Sequence, residues 1–381
     1  MNTPKSTAAF LSQYLHALGI LQKVYRLKHD YSDALPHIYS SILIDPESRY
    51  IVHGFGVSSN SRSLAKLKSL SEAVERISLI HQKKNNKNIL KSFNISDNIT
   101  SSISAEKILF MPGGSSIPPH PGIGMGFGMN HTGTILRGIY ELIERDACIT
   151  TYLLKVPLPH INIKSILRTR PQFDKIVKRL EEKNIQIHVL DATHDLGIPI
   201  FITILVDNNS NKPTITAGSK AGFPIFESIL NSIEEAIMVY SSFDEASKKN
   251  SLRSEHAHIQ TSFQRSQFWS NQRRTSDLSF WLQNSKKKSI QKNKSLSEKK
   301  QITQVIDLLK QKKMTINYID ITPPYIKSIG FMVYKVVIPQ LQEFYFDEMN
   351  KKISSSRIQS VSTFFGINTK YIVNQIPHPF V

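Results

Sequence analysis

Leu67-Lys-Ser-Leu-Ser-Glu72-Ala-Val-Glu75-Arg76 returns along the chain as Leu136-Arg-Gly-Ile-Tyr-Glu141-Leu-Ile-Glu144-Arg145, and again as Leu230-Asn-Ser-Ile-Glu-Glu235-Ala-Ile-Met238. The third copy has methionine where the others place their last carboxylate. Leu64, Leu67, Leu70, Val74 and Ile77 recur at helical spacing and predict a helix over 63–82. Helices over 133–154 and 226–242 carry the other two copies. The first two copies follow Gly-Phe-Gly steps, Gly54–Gly56 and Gly126–Gly128, the first of them ending a strand expected at 50–57. Around the second step, 112–128 holds six glycines and four prolines, which excludes regular helix and predicts a loop with close backbone approaches.

A second pattern also repeats. A helix over 173–183 and a strand over 185–190 lead from Leu180 to Asp191-Ala-Thr193, then to Gly197 and an apolar strand over 198–206. Leu309 leads in the same way to Asp320-Ile-Thr322, Gly330 and a strand over 331–338. Repeated strand, helix and glycine steps predict an internally duplicated α/β fold with mixed sheets and glutamate-bearing helices.

The 381 residues are 40% hydrophobic and 20% charged, as in folded proteins rather than disordered ones. The net charge of +18 raises the question of nucleic acid, but its distribution argues against it. Residues 248–313 hold 16 basic and 4 acidic residues, so this stretch carries most of the excess. The half after about 273 reads as a solvated linker or flexible insertion. Cys148 is the single cysteine, which excludes internal disulfides and cysteine-built zinc sites and suits a reducing cytoplasm. No apolar run reaches membrane-spanning length, and the N-terminus does not read as a signal peptide. Trp269 and Trp281 are expected to pack against the domain, as is Cys148.

Residues three apart on a helix share a face, so Glu72/Glu75 and Glu141/Glu144 each present two carboxylates to one patch. Four such groups brought together repel one another unless cations lie between them. Oxygen ligands without Cys or His favour Mg²⁺, which characteristically bridges to substrate phosphates, so a nucleotide is the simplest inference. Arg145 and Lys68 could then meet phosphate oxygens. No G-x-x-x-x-G-K-[ST] loop occurs.

Gly54-Phe-Gly-Val-Ser-Ser-Asn…Lys68…Glu72-Ala-Val-Glu75-Arg76 resembles the first signature of the YcaO family, and Gly138-Ile-Tyr-Glu141-Leu-Ile-Glu144-Arg145-Asp146-Ala resembles the second. Asp191-Ala-Thr…Gly197-Ile-Pro199, Val333-Tyr-Lys335-Val-Val-Ile-Pro339 and Pro377-His378-Pro379-Phe380 are similar to later family features. The proline-rich ending points within the family to azoline-forming cyclodehydratases of ribosomal peptides. The resemblance implies a YcaO-type fold, with 1–50 an N-terminal segment and 51–381 an ATP-binding catalytic domain bearing a basic insertion at about 247–300. It implies ATP and Mg²⁺ as cofactors. Glu72, Glu75, Glu141 and Glu144 would be metal ligands, and Lys68, Arg145 and Lys335 would contact the nucleotide. The tail, with Pro377, Pro379 and the terminal carboxylate of Val381, would reach the catalytic centre. Implied partners are a precursor peptide, an E1-like leader-binding protein and, as a further candidate, a flavin dehydrogenase. A homo-oligomer is compatible with the sequence. A thioamide-forming enzyme and a catalytically weakened scaffold subunit are the alternatives.

The chain departs from the family pattern at four places. Gly133 stands where an acidic residue is common, with His131, Asn130 or water as substitutes. Met129 stands where a small polar residue is usual, Lys335 where an arginine is often found, and Val381 where a final proline is usual.

Overall fold

The computed structural model describes residues 3–27, 36–84, 89–95, 97, 99–104, 122–128, 130–208, 215–247, 259–270, 272–290, 296–367 and 373–381. The chain divides into two compact units, the first from 1–111, 119–140 and 297–339, the second from 112–118, 141–296 and 340–381.

In the first unit, strands β1 (Leu21–Arg26), β2 (His37–Ile44) and β3 (Ile51–Ser58) form an antiparallel sheet in that order. Helix α1 (Pro4–Ala17) belongs to the same unit, capped by the Thr3 hydroxyl, which accepts from the Ser6 N–H at 3.2 Å. The 1–50 segment is thus built into the unit rather than preceding it. Helix α2 (Arg62–Lys84) packs on β3, burying Ala65, Leu70, Ala73, Val74 and Ile77. A second sheet, β5-β4-β12-β13-β6, joins β4 (Ile89–Asn94), β5 (Ile99–Ser104), β6 (Ile123–Phe127), β12 (Asn317–Asp320) and β13 (Phe331–Val337), with every pairing antiparallel. Helix α3 (His131–Leu153) gives this unit its residues up to Tyr140 and gives the second unit those from Glu141.

The second unit is built on the sheet β10-β9-β8-β7-β11: β7 (His160–Ile161), β8 (Ile185–Asp191), β9 (Ile200–Asp207), β10 (Ile215–Ala221) and β11 (Lys287–Lys288). Its one parallel pairing, β11 with β7, makes the sheet mixed. All eight residues of β9 are buried, as expected of an uninterrupted apolar run in an inner strand. Helix α4 (Pro171–Glu182) packs on β8, and helix α5 (Ile225–Ser247) on β9 and β10.

The duplication extends to single atoms. A Cβ on Gly54 of β3 would lie 2.2 Å from the Ser69 carbonyl oxygen and 2.4 Å from the Ala73 nitrogen. A Cβ on Gly218 of β10 would lie 2.4 Å from the Ser232 carbonyl and 2.3 Å from the Ala236 nitrogen. Only glycine lets each helix approach its strand so closely. Gly54 pairs across the sheet with Ser41, and Gly218 with Thr203. In each case the neighbouring hydroxyl meets the helix serine, Ser41 to Ser69 at 2.7 Å and Thr203 to Ser232 at 2.8 Å. The second repeat holds too. The Thr193 N–H donates to Asp191 Oδ1 at 2.9 Å, the Thr322 N–H to Asp320 Oδ1 at 2.9 Å, and Gly197 and Gly330 follow with positive φ.

Two expectations need correction. Residues 123–127 of the expected loop form β6, and the glycine that meets α3 as Gly56 meets α2 is Gly124, whose Cβ would fall 2.1 Å from the Thr134 carbonyl. Gly128 lies beyond the strand, where a Cβ would meet nothing within 4 Å, so the Gly-Phe-Gly match is four residues out of frame. The basic stretch is also more ordered than a linker. Before about 273, helix α6 (Ser262–Trp269) buries Trp269. From there on, the helical turns at 272–282 bury Trp281, and β11 and helix α7 (Glu298–Gln311) follow; both tryptophans pack as expected. Cys148 is buried. No helix among the described residues is long and apolar enough to cross a membrane.

Candidate functional site

In the first unit, Lys68, Glu72 and Glu75 follow one another along one face of α2. Glu72 is oriented by both its oxygens. Oε2 accepts from the backbone N–H of Phe55, and Oε1 pairs with Arg76 at 2.6 Å. β3 is an edge strand, so the Phe55 amide has no strand partner on that side and the carboxylate takes its place. Lys68 Nζ donates to the Val57 carbonyl at 2.9 Å, and Glu75 is half-buried on the next turn.

The second unit repeats this arrangement and adds to it. The Ser219 N–H, on edge strand β10, donates to Glu235 Oε2 at 2.9 Å, just as Phe55 serves Glu72. Two residues on, the Ala221 N–H donates to Glu144 Oε2 at 3.0 Å, while the Ser219 hydroxyl donates to Glu144 Oε1 at 2.8 Å. Two carboxylates from α3 and α5 are thereby held under one strand. Lys220 Nζ stands 3.5 Å from Glu144, and Arg145 stands 3.8 Å from Glu235 with its guanidinium 4.9 Å from the Phe344 ring centre. Burial, followed by repulsion from Glu144, pushes the Glu235 carboxyl up to about 7. Burial opposes the charge on Arg145, but Glu235, Glu144 and Glu141 outweigh it and hold the guanidinium protonated. Glu144 likewise pushes Lys220 upward.

These residues suit Mg²⁺ and a polyphosphate. The donors are all oxygens, each with a second lone pair beyond the hydrogen bonds described. Among the described residues, no three His, Cys, Asp or Glu side chains already form a metal-holding group.

A family model described as YcaO cyclodehydratase, ATP- and Mg²⁺-binding, matches residues 112–342. The chain belongs to the YcaO family. No curated protein sequence matches it. Among solved structures it is similar to a heterocyclase in complex with substrate and cofactor, with a TM-score of 0.77 and 17% identity over 100% of this chain and 58% of that one. It thus spans little more than half of that relative. It is also similar to YcaO from Methanopyrus kandleri bound with AMPPCP and Mg²⁺, with a TM-score of 0.67 and 12% identity over 93% and 95% of the two chains. The E. coli microcin synthetase McbBCD complex gives a TM-score of 0.60 and 12% identity over 89% and 95%. The shared fold is the duplicated α/β architecture described above.

Within this YcaO chain the expected site residues fall into separate groups. Lys68, Glu72, Glu75 and Lys335 belong to the first unit, with Lys335 buried on β13 opposite Ile123 and Ile319. Glu141, Glu144, Arg145 and the tail belong to the second. Pro377 and Pro379 are buried, and Val381 is half-buried. Sequence reasoning missed Glu235, although it stands in the Glu72 frame, because the second carboxylate of that copy is Met238. It also missed Arg357 on helix α8 (Ser355–Phe365). This buried guanidinium donates to Asp146 at 2.8–3.1 Å and to Asp195 at 2.8 Å, beside His194. Burial alone would raise the Asp146 carboxyl, but His194 and Arg357 outweigh it and hold it below the usual range.

The departure at Gly133 has a physical counterpart. A Cβ there would lie 2.4 Å from Glu298 Oε2, so a carboxylate from α7 already occupies that turn of α3. Asn130 holds it, its Nδ2 donating to Glu298 at 3.0 Å while its Oδ1 accepts the Gly133 N–H at 3.0 Å. His131 shares a hydrogen bond with the Tyr334 hydroxyl. Met129 lies outside the described residues.

Proposed function

We propose that this chain is the ATP-using cyclodehydratase component of a peptide-modifying system. A Cys, Ser or Thr side chain of a precursor peptide attacks the preceding amide carbonyl, and loss of the amide oxygen leaves an azoline. ATP, with Mg²⁺, would supply the phosphoryl group that makes this oxygen a leaving group. Glu72, Glu75, Glu141 and Glu144 would hold Mg²⁺, and Lys68, Arg145 and Lys335 would meet phosphate oxygens. The observation that carries the reading is the group of Glu144, Glu235 and Arg145 gathered at β10 with Lys220 of that strand, in which two carboxylates and two cations share one place. Such a cluster costs desolvation and is a poor way to gain stability alone. Pro377, Pro379 and Val381 would complete the centre from the tail.

The solved relatives include a heterocyclase with substrate and a microcin synthetase complex with pro-MccB17 bound, which supports a peptide substrate and partner proteins. An E1-like leader-binding protein is the partner proposed. A weakened scaffold subunit is the second reading, motivated by Gly133; the Glu298 carboxylate at that turn speaks against it. Mass spectrometry of a precursor peptide incubated with the chain, its partner and Mg-ATP tests the proposal. Loss of one water per modified residue is the expected result. Exchange of oxygen for sulfur would assign the thioamide chemistry, and an unchanged peptide with no ATP consumed would leave the scaffold reading.

A further inference from the structure

The end of the chain and the guanidinium of Arg145 touch the same ring. Phe344, 6% exposed, lies 5.0 Å from the His378 ring and 4.9 Å from the Arg145 guanidinium carbon. Both sides of this contact are anchored. On the tail side, the Tyr152 hydroxyl and the Trp269 indole N–H each donate to the Pro377 carbonyl at 3.1 Å. Arg265, fully buried and paired with Glu348 at 2.8 Å, donates to the His378 carbonyl at 3.0 Å and the Phe346 carbonyl at 2.7 Å. The His378 ring bonds the Tyr345 carbonyl at 2.7 Å. On the other side, the Gln342 N–H donates to Asp146, the residue after Arg145, at 2.7 Å. Residues 342–346 are thus tied to α3 at one end and to the tail in the middle.

A segment held only by surface packing would need no fully buried arginine to dock it, yet Arg265 serves residues 377–381. We propose that Phe344 is a positioning residue through which the docked tail holds the Arg145 guanidinium toward the polyphosphate of a nucleotide. The inference rests on the reading above, in which Arg145 meets ATP. It gives the tail an effect on nucleotide binding through two packed rings, apart from anything its carboxylate does to a peptide. Linkage then requires the reciprocal effect, that bound nucleotide tightens the docking of the tail.

The test is calorimetric titration of the full chain with AMPPCP and Mg²⁺. Phe344→Leu is expected to weaken binding about three- to thirtyfold, the scale of a desolvated cation–ring contact. Phe344→Tyr, which keeps the ring, retains the affinity. Removal of Pro377–Val381 weakens binding to a similar degree, and combining it with Phe344→Leu adds little, because both act by one route. Carboxypeptidase trimming of the wild-type tail slows when Mg-AMPPCP is bound. A folded Phe344→Leu variant with wild-type affinity overturns the proposal while leaving the ATP reading in place, as do additive effects of the two changes. A wild-type chain that binds no AMPPCP overturns the ATP reading and the proposal together.

Discussion

The β2-β3-α2 and β9-β10-α5 segments are two versions of one device, and they differ in charge rather than in backbone. Gly54 and Gly218 admit the helix, Ser69 and Ser232 reach a hydroxyl on the next strand, and Glu72 and Glu235 accept an outward amide of an edge strand. Glu72 finds its cation one turn along its own helix, in Arg76, and is about one third exposed. Glu235 has a second carboxylate beside it and takes its cation from α3, in Arg145. The comparison teaches that the repeat supplies the frame, while the crowding of charge that a polyphosphate site needs comes from a further helix laid against it.

The largest effect expected is on turnover. Glu144→Gln keeps the shape beneath β10 and removes one charge, so ATP consumption should fall by about a hundredfold or more, the size of losing one well-placed electrostatic group. Glu72→Gln should do likewise while circular dichroism stays native. Unchanged ATP consumption in both would dissolve the proposed site.

The frame can be tested next. Gly54→Ala and Gly218→Ala each drive a methyl group into helix backbone, and each should cost about 1–3 kcal/mol in urea unfolding. A large cost at one and none at the other would break the equivalence.

A pH series sharpens the difference between the two. Folding raises the Glu235 carboxyl from its ordinary 4.5 to about 7, so the folded chain binds this proton more tightly than the unfolded one. Stability is therefore lost as pH rises from about 4.5 through about 7. In buffer free of Mg²⁺, Glu235→Gln should gain on the wild type by about 1–2 kcal/mol between pH 5 and pH 8. A constant difference between the two proteins across that range would show that burial and Glu144 do not raise the Glu235 carboxyl on folding.

The smallest effect belongs to the buried hydroxyl pairs. Ser69→Ala and Ser232→Ala each leave one hydroxyl without its partner, at about 1 kcal/mol apiece. Clearly unequal costs would show that the pairs are not interchangeable.

What was legible in the sequence was local. Helices α2, α3 and α5, strand β3 and the Asp-x-Thr turns announce themselves because apolar spacing, glycine and turn chemistry act over a few residues, whereas the glycine-rich β6 and the small-residue β10 do not. The contacts that fix charged residues within each unit span the chain. Arg357 meets Asp146 across 211 positions, and Glu298 meets Asn130 across 168, so each reads in sequence as one more surface charge. Trp269 packs as its size suggested, but that it and Arg265 hold the tail, 108 and 113 positions on, cannot be read from the residues around them. Glu235 was visible in frame and passed over, since the pattern sought was a pair of carboxylates and its second partner comes from another helix.

The glutamates beneath β10 also bear on how the protein behaves in company. An edge strand presents a row of unpaired amides on which a foreign strand can grow. Here the outward N–H groups of Ser219 and Ala221 are already taken by Glu235 and Glu144, and that of Phe55 by Glu72. The carboxyl side chains of the proposed site thereby also occupy the amides of two sheet edges. Shorter replacements such as alanine would leave those amides without an acceptor and favour self-association, whereas glutamine, which keeps an acceptor oxygen at the same reach, would not.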